Sequence, residues 1–237
     1  MIGAALLLRI AVLKMIENEH INFTFITRYI RNLINDDIKN LYDFAHNRDI
    51  PVAKPETTKL IYILAMIKKP KKILELGTGI GCSAAVLSKA SEDARITTVE
   101  KDENNFNEAK KMFDEEMLSD RITAVNADAL EFLKEKHKNN EKYDFIFLDS
   151  AKGQYIDCYP YLTDILEHGG LLVTDNVLYG GMVANDELIQ HRKRTIVKRL
   201  REYLDALHTD KTLETVVVPI GDGVAVSCKK PEEDKNE

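Results

Sequence analysis

The stretch LELGTGIGCS, Leu74 to Ser83, decides the fold. Apolar residues flank an acid, and glycine then takes alternate positions at Gly77, Gly79 and Gly81 before a run of small residues begins. A strand that ends in such a turn and enters a helix exposes its backbone to a ligand, because a Cβ would collide there. The spacing is not the G-x-G-x-x-G of a dinucleotide site: the third glycine comes one position early, and Cys82 stands where it should be.

Outward from this turn, apolar runs of strand length alternate with helical stretches. Ile73–Leu76, Ile96–Val99, Ile122–Val125, Phe145–Leu148 and Leu171–Thr174 read as strands, with helices near 82–90, 103–117, 128–137 and 153–166. Such alternation predicts an α/β fold, a mostly parallel sheet with helices on both faces. A long helix near 186–207 follows, then Thr215–Pro219 and Val224–Cys228, joined by Gly221-Asp222-Gly223 as an antiparallel hairpin closing one edge. Upstream, Phe25, Ile26, Tyr29, Ile30, Leu33 and Ile34 recur at helical spacing, as do Leu60, Ile61, Leu64, Ala65 and Ile67, with Pro51 and Pro55 between the two groups. The expected organisation is a helical extension at 1–50, one core domain at 51–230 and a charged tail at 231–237.

Composition narrows the class. At 237 residues and 44% apolar content the chain can bury a single large core. A net charge of −6 argues against indiscriminate nucleic-acid binding while allowing a local basic patch. Cys82, Cys158 and Cys228 lack metal-ligand spacing and read as reduced thiols, which places the protein in the cytoplasm. The opening MIGAALLLRIAVLK is broken by Arg9, too short to span a bilayer and without the features of a secretory signal. It reads either as a packed helix or as an extension ahead of a start at Met15. No membrane association is expected.

The strand ends carry the chemistry. Glu75, inside the glycine motif, would repel a pyrophosphate and suits a cationic ligand such as the sulfonium and amino group of S-adenosylmethionine. Glu100, in TTVEKD, can accept both hydroxyls of a ribose. Asp128, in NADAL, can cap its helix or sit near an adenine edge. DFIFLDSAKGQY runs into Asp149, and LLVTDN into Asp175 and Asn176. These offer only oxygen ligands, the choice of Mg²⁺ or a similar hard cation, whereas zinc would want His or Cys, and the six histidines show no paired spacing. Taken alone, Asp-Asn after a strand is equally a turn or a helix cap. Lys152, on the loop after Asp149, is placed to act as a general base.

ILELGTGIGCSA, TTVEKDE, FIFLDSAKGQY and LLVTDN resemble the metal-dependent class I O-methyltransferases of the catechol and caffeoyl-CoA type, across roughly 51–229. More narrowly, AKGQY, TDNVLYGGMV and PIGDGVAVS resemble the bacterial tRNA 5-hydroxyuridine methyltransferases, which make 5-methoxyuridine at the wobble position. The resemblance implies a Rossmann-like methyltransferase domain with a seven-stranded sheet. It also implies S-adenosylmethionine and Mg²⁺ or another divalent cation as cofactors, and a homodimer. Carried over by position, metal ligands fall on Asp149, Asp175 and Asn176, with catalytic roles for Asp149 and Lys152. Cofactor contacts fall on Ala53, Glu75, Gly77, Ser83, Glu100, Asp128 and Asp149. Ala53 stands where a larger apolar residue is frequent, and Cys82 where an aromatic is.

Two acceptors fit the implied chelate, the tRNA anticodon loop and a catechol-type small molecule, since 5-hydroxyuracil and catechol both present two adjacent oxygens. The run HRKRTIVKRLR, His191 to Arg201, supports RNA: Arg194, Lys198 and Arg201 share one helical face opposite Ile196, Leu200, Tyr203 and Leu207. The same helix could equally present an ordinary solvated face. A dehydrogenase would leave the oxygen-ligand set unexplained, and a binding module that had lost catalysis would be expected to have lost some of these positions.

Overall fold

The computed structural model describes residues 52–232. The extension expected at 1–50, and with it the helical pattern at 21–50, lies outside the described residues, as does 233–237 of the tail. Helix α1 (Pro55–Lys68) opens on a proline, whose missing N–H is no loss in a first turn. The chain then alternates through β1 (Lys72–Leu76), α2 (Cys82–Ala90), β2 (Arg95–Glu100), α3 (Glu103–Glu115), β3 (Ile122–Asn126), α4 (Ala129–Lys138), β4 (Tyr143–Leu148), α5 (Tyr155–Ile165) and β5 (Leu166–Thr174). It closes with α6 (Arg194–Thr209), β6 (Leu213–Val218) and β7 (Val224–Lys229).

The sheet has seven strands in the order β3-β2-β1-β4-β5-β7-β6. β1 to β5 run parallel, and the hairpin pairs antiparallel, with β7 against β5 and β6 at the edge. The central strands are mostly apolar because both faces are covered, with Glu75 on β1 and Thr98 on β2 as buried polar exceptions. Ile73, Phe145, Phe147 and Val173 face α1, α2 and α3 through Ile61, Ala85 and Phe113, whereas Leu74, Leu76, Ile146, Leu148 and Leu172 face α4, α5 and α6 through Leu133, Leu162 and Leu200. The strand order reverses direction between β1 and β4. In open α/β sheets the crevice for a ligand forms at the carboxyl ends beside such a switch.

Several boundaries differ from expectation, β4 beginning at Tyr143 among them. β5 begins at Leu166, not Leu171: Leu166 pairs with Tyr143, the register then shifts so that Leu171 pairs with Phe145, and the residues between bulge out with Gly169 at φ +70. The helix expected from 186 begins at Arg194. Ahead of it lie short 3₁₀ turns at Asp186–Leu188 and His191–Lys193, separated by the extended Ile189 and Gln190. Asn185 takes the Glu187 N–H with its side chain, which favours a local turn over helix propagation. The hairpin strand expected at 215–219 spans Leu213–Val218.

Candidate active site

A cleft of about 540 Å³ opens at the carboxyl ends of the parallel strands. It is lined by Ala53, Gly77, Ser83, Glu100 and Asp128 on one side and by Asp149, Lys152, Asp175 and Asn176 on the other. Residues scattered over more than a hundred positions are brought together because successive strands end at one edge of the sheet.

The glycine turn forms the floor. Gly77 sits at φ +103, and its N–H donates to the Val99 carbonyl at 2.9 Å. Gly81, at φ +92, opens α2 and leaves its first N–H groups unclaimed by a capping side chain. Glu100 holds this turn from β2: one carboxylate oxygen accepts from Gly79 N–H and the other from Asp102 N–H, each at 2.8 Å. Asp128 caps α4 through Leu130 and Glu131 N–H and pairs with Lys101 at 2.9 Å. Its carboxyl is held below the usual range, first by the Lys101 ammonium. Both acids therefore combine a fold role with a place on the cleft wall.

Glu75 is the exception among the expected cofactor residues. Its side chain is fully buried beneath the turn and does not line the cleft. In register with Thr98 on β2, it accepts that hydroxyl's hydrogen bond, and Thr98 in turn meets Thr78 at 2.6 Å. Burial pushes its pKa up to about 7. The alternation of β1 points position 75 into the helix-covered face rather than toward the strand tip. Cys82 lines the cleft wall, with a thiol that burial pushes up to about 12.

The acidic end is built differently. The chain leaves β4 through Asp149, whose N–H donates to the Leu76 carbonyl at 2.8 Å, and leaves β5 through Asp175, whose N–H donates to the Leu148 carbonyl at 3.0 Å. Each bond extends the parallel ladder one residue past the strand, which fixes both acids at the rim. Burial, reinforced by the neighbouring Asp175 carboxylate, raises Asp149 to about 7, against the opposing pull of Lys152. Asp175 is also raised, mainly by burial. Its Oδ1 accepts from Asn176 N–H at 2.7 Å and from the Thr57 hydroxyl at 3.4 Å, while its Oδ2 is buried without a partner. Asn176 takes the left-handed conformation at φ 58, which asparagine tolerates better than most residues. Tyr155, fully buried, bridges both loops by reaching the Ser150 and Asp175 carbonyls at 3.4 and 3.3 Å.

A buried carboxylate oxygen with no donor is costly unless something positive completes it. Among the described residues, no three His, Cys, Asp or Glu side chains cluster as metal ligands. The set at this rim is two carboxylates and an amide, an all-oxygen group that fits a hard divalent cation.

The basic residues of α6 lie outside the cleft. Arg194 and Lys198 are exposed, and Lys198 reaches Glu202 at 3.7 Å. Arg201 departs from the expected free stripe. It is half-buried, donating to the Val183 carbonyl at 3.0 Å and pairing with Asp186 at 2.5 Å. The opposite face buries Val197, Leu200, Tyr203 and Leu207. Sequence reasoning passed over Lys54, Thr57, Tyr155 and Asp222 as site residues. The GDG turn carried the one available signal, and it marked a reversal rather than a wall of the cleft.

A doubly wound sheet with a glycine floor and an acidic rim defines a class I methyltransferase fold. The O-methyltransferase family model matches residues 29–230. A caffeoyl-CoA O-methyltransferase from Stellaria longipes is 28% identical over 195 residues, covering 78% of this chain and 79% of the relative. Tricin synthase 2 from Oryza sativa subsp. japonica is 24% identical over 191 residues, 78% of this chain and 65% of that one. A Staphylococcus aureus crystal structure, provisionally named a caffeoyl-CoA O-methyltransferase, shares 31% identity with a TM-score of 0.78, covering 87% of this chain and 98% of its own. At 21% identity the fold is shared with a Bacillus cereus O-methyltransferase solved with SAH, with a TM-score of 0.75 over 86% of this chain and 96% of that one. The chain belongs to the O-methyltransferase family, as an S-adenosylmethionine-dependent O-methyltransferase of the caffeoyl-CoA type.

Proposed function

We propose that the chain is a divalent-metal-dependent O-methyltransferase whose acceptor is 5-hydroxyuridine at the wobble position of tRNA, giving 5-methoxyuridine. The observation that carries the metal dependence is the buried, unpartnered Oδ2 of Asp175 at a rim shared with Asp149. Asp149, Asp175 and Asn176 would hold Mg²⁺ or a similar cation, which when bound would acidify the acceptor hydroxyl and orient it.

The remaining work falls to the chain itself. Gly77 and Gly79 let the backbone approach S-adenosylmethionine, Glu100 accepts from its ribose, and Ala53, Ser83 and Asp128 complete the wall. Lys152, on the rim beside Asp149, accepts the proton from the acceptor hydroxyl. The acceptor oxygen bonds to the methyl carbon as the carbon–sulfur bond breaks, and the sulfonium leaves as a neutral thioether. Holding both reactants in line supplies much of the acceleration.

The RNA acceptor is supported by the resemblance of AKGQY, TDNVLYGGMV and PIGDGVAVS, and by the exposed Arg194 and Lys198. The start of α6 packs beside Lys152, with Arg199 bonded to the Gly153 carbonyl. Arg201 contributes less than expected because Asp186 already pairs with it. A wobble nucleotide lies in a single-stranded loop, so presenting it costs little unpairing. A second reading, a catechol-type small molecule, is favoured by the names of the curated relatives, caffeoyl-CoA O-methyltransferases among them. The cytoplasm as compartment and a homodimer belong to the same proposal, the former supported by the free thiols of Cys82, Cys158 and Cys228. Among the described residues no helix is long and apolar enough to cross a membrane.

The test is methyl transfer from labelled S-adenosylmethionine, with Mg²⁺ or excess chelator, to tRNA carrying 5-hydroxyuridine and to a catechol in parallel. Chelator-sensitive labelling of tRNA far above catechol is expected. Labelling of catechol alone moves the chain to the small-molecule branch, and chelator-insensitive transfer removes the metal.

A further inference from the structure

The turn between β6 and β7 reaches across the cleft. Asp222, which lines it, sits between Gly221 at φ +61 and Gly223 at φ +82. One Asp222 carboxylate oxygen accepts from Gly180 N–H at 2.5 Å, and its backbone carbonyl accepts from Leu178 N–H at 3.0 Å. The Gly223 carbonyl accepts from Val177 N–H, also at 3.0 Å. These bonds seize the chain immediately after Asn176, while Asp175 N–H anchors it immediately before. Asn176 is thus a left-handed residue held from both sides, in a conformation that costs about 1 kcal/mol unless its surroundings impose it. Turn and loop pack without slack: a Cβ on Gly223 would stand 2.3 Å from the Leu178 Cγ. At the far end of the segment, Arg201 binds the Met182 and Val183 carbonyls and Asp186.

We infer that Asp222 is a positioning residue: by holding Leu178 N–H with its carbonyl and Gly180 N–H with its carboxylate it helps to set Asn176 in the cleft for the acceptor, with Arg201 anchoring the other end of the segment. An aspartate serving its own turn would bond locally, whereas this one bonds 42 positions away. Its charge is a separate matter, because it also faces Asp175 and raises that carboxyl. The inference rests on the acceptor site proposed above.

Two substitutions separate grip from charge. Asp222→Ala removes the charge and the side-chain bond to Gly180 N–H while leaving the backbone bonds to Val177 and Leu178, whereas Asp222→Asn keeps an oxygen for Gly180 N–H and removes the charge. Amide hydrogen exchange over 176–183 in the metal-free chain is compared with acceptor KM, kcat and S-adenosylmethionine affinity. Asp222→Ala is expected to speed exchange at Gly180 and to raise acceptor KM roughly tenfold, the scale of one lost charge-assisted hydrogen bond, with cofactor affinity held. Asp222→Asn is expected to recover most of both effects. If Asn raises KM as Ala does while exchange stays slow, the role is charge and the inference falls. It also falls if Ala leaves exchange unchanged. A wild-type chain inactive on both acceptors would overturn the proposed function instead, and the exchange comparison would still decide the grip on this segment.

Discussion

Gly77 and Asp149 meet with no room between them: a Cβ on Gly77 would stand 2.1 Å from the Asp149 carbonyl oxygen. The glycine turn after β1 and the acidic loop after β4 therefore form one packed unit, although more than 70 residues of chain separate them. The glycine floor and the acidic rim of the cleft are registered to each other through this contact.

Gly77→Ala should consequently damage both sides. The backbone at φ +103 penalises a side chain, and the neighbour it strikes is main chain rather than a flexible tip. A stability loss of about 2 kcal/mol or more is expected in urea unfolding, with S-adenosylmethionine binding weakened in calorimetry. Full cofactor affinity would show that the two loops are independent.

Glu75 makes stability depend on pH. Its pKa is raised from 4.5 to about 7, so between those values the native state keeps a proton that the unfolded chain has lost. Stability from this group is fully present below 4.5 and is lost as pH rises to about 7. The loss approaches about 3 kcal/mol once the group is ionised. Glu75→Gln should therefore gain on the wild type through that window and hold its advantage above it. Parallel denaturation curves at successive pH values check this, and a constant offset would rule it out.

Asp175→Ala should abolish methyl transfer, because it removes the rim carboxylate whose Oδ2 is buried without a donor. Thermal unfolding without divalent ions should shift only modestly, since relief of the unpartnered oxygen offsets the lost Oδ1 bonds to Asn176 and Thr57, and the stabilisation on adding Mg²⁺ should disappear. Lys152→Ala should also stop transfer yet keep that Mg²⁺ response. Activity retained in both variants would end the proposed mechanism.

Arg194→Gln combined with Lys198→Gln should weaken tRNA methylation and spare any catechol activity. Both side chains are exposed on α6 and clear of the cleft. The slope of log affinity against log salt should fall by about 2 if each meets a phosphate. An equal loss with both acceptors would make the helix face structural.

Sequence patterning made the alternating core legible because a doubly covered parallel strand reads as a near-continuous apolar run, as Phe145 to Leu148 do. The glycine spacing and the acids after the strands were legible for a related reason: polar side chains end an apolar run where the chain reaches the rim. Glu75 reads as a cofactor residue from its motif, and the structure buries its side chain beneath the turn; one acid in a glycine motif looks the same whether it faces ligand or core. The stretch from 186 to Lys193 reads as the start of a helix, yet it forms short turns, with Asp186 held by Arg201 from the next helix and Glu187 N–H taken by Asn185.

The sequence by itself determined the order of strands and helices, the glycine floor and the identity of the oxygen-bearing rim, because each follows from local chemistry and periodicity. Tertiary structure alone decided that Glu75 lies beneath the floor, that Arg201 is spent on a loop, and that Asp222 stands across from Asn176. Those outcomes depend on which strand edges become neighbours, and strand pairing is a long-range event that no local pattern encodes.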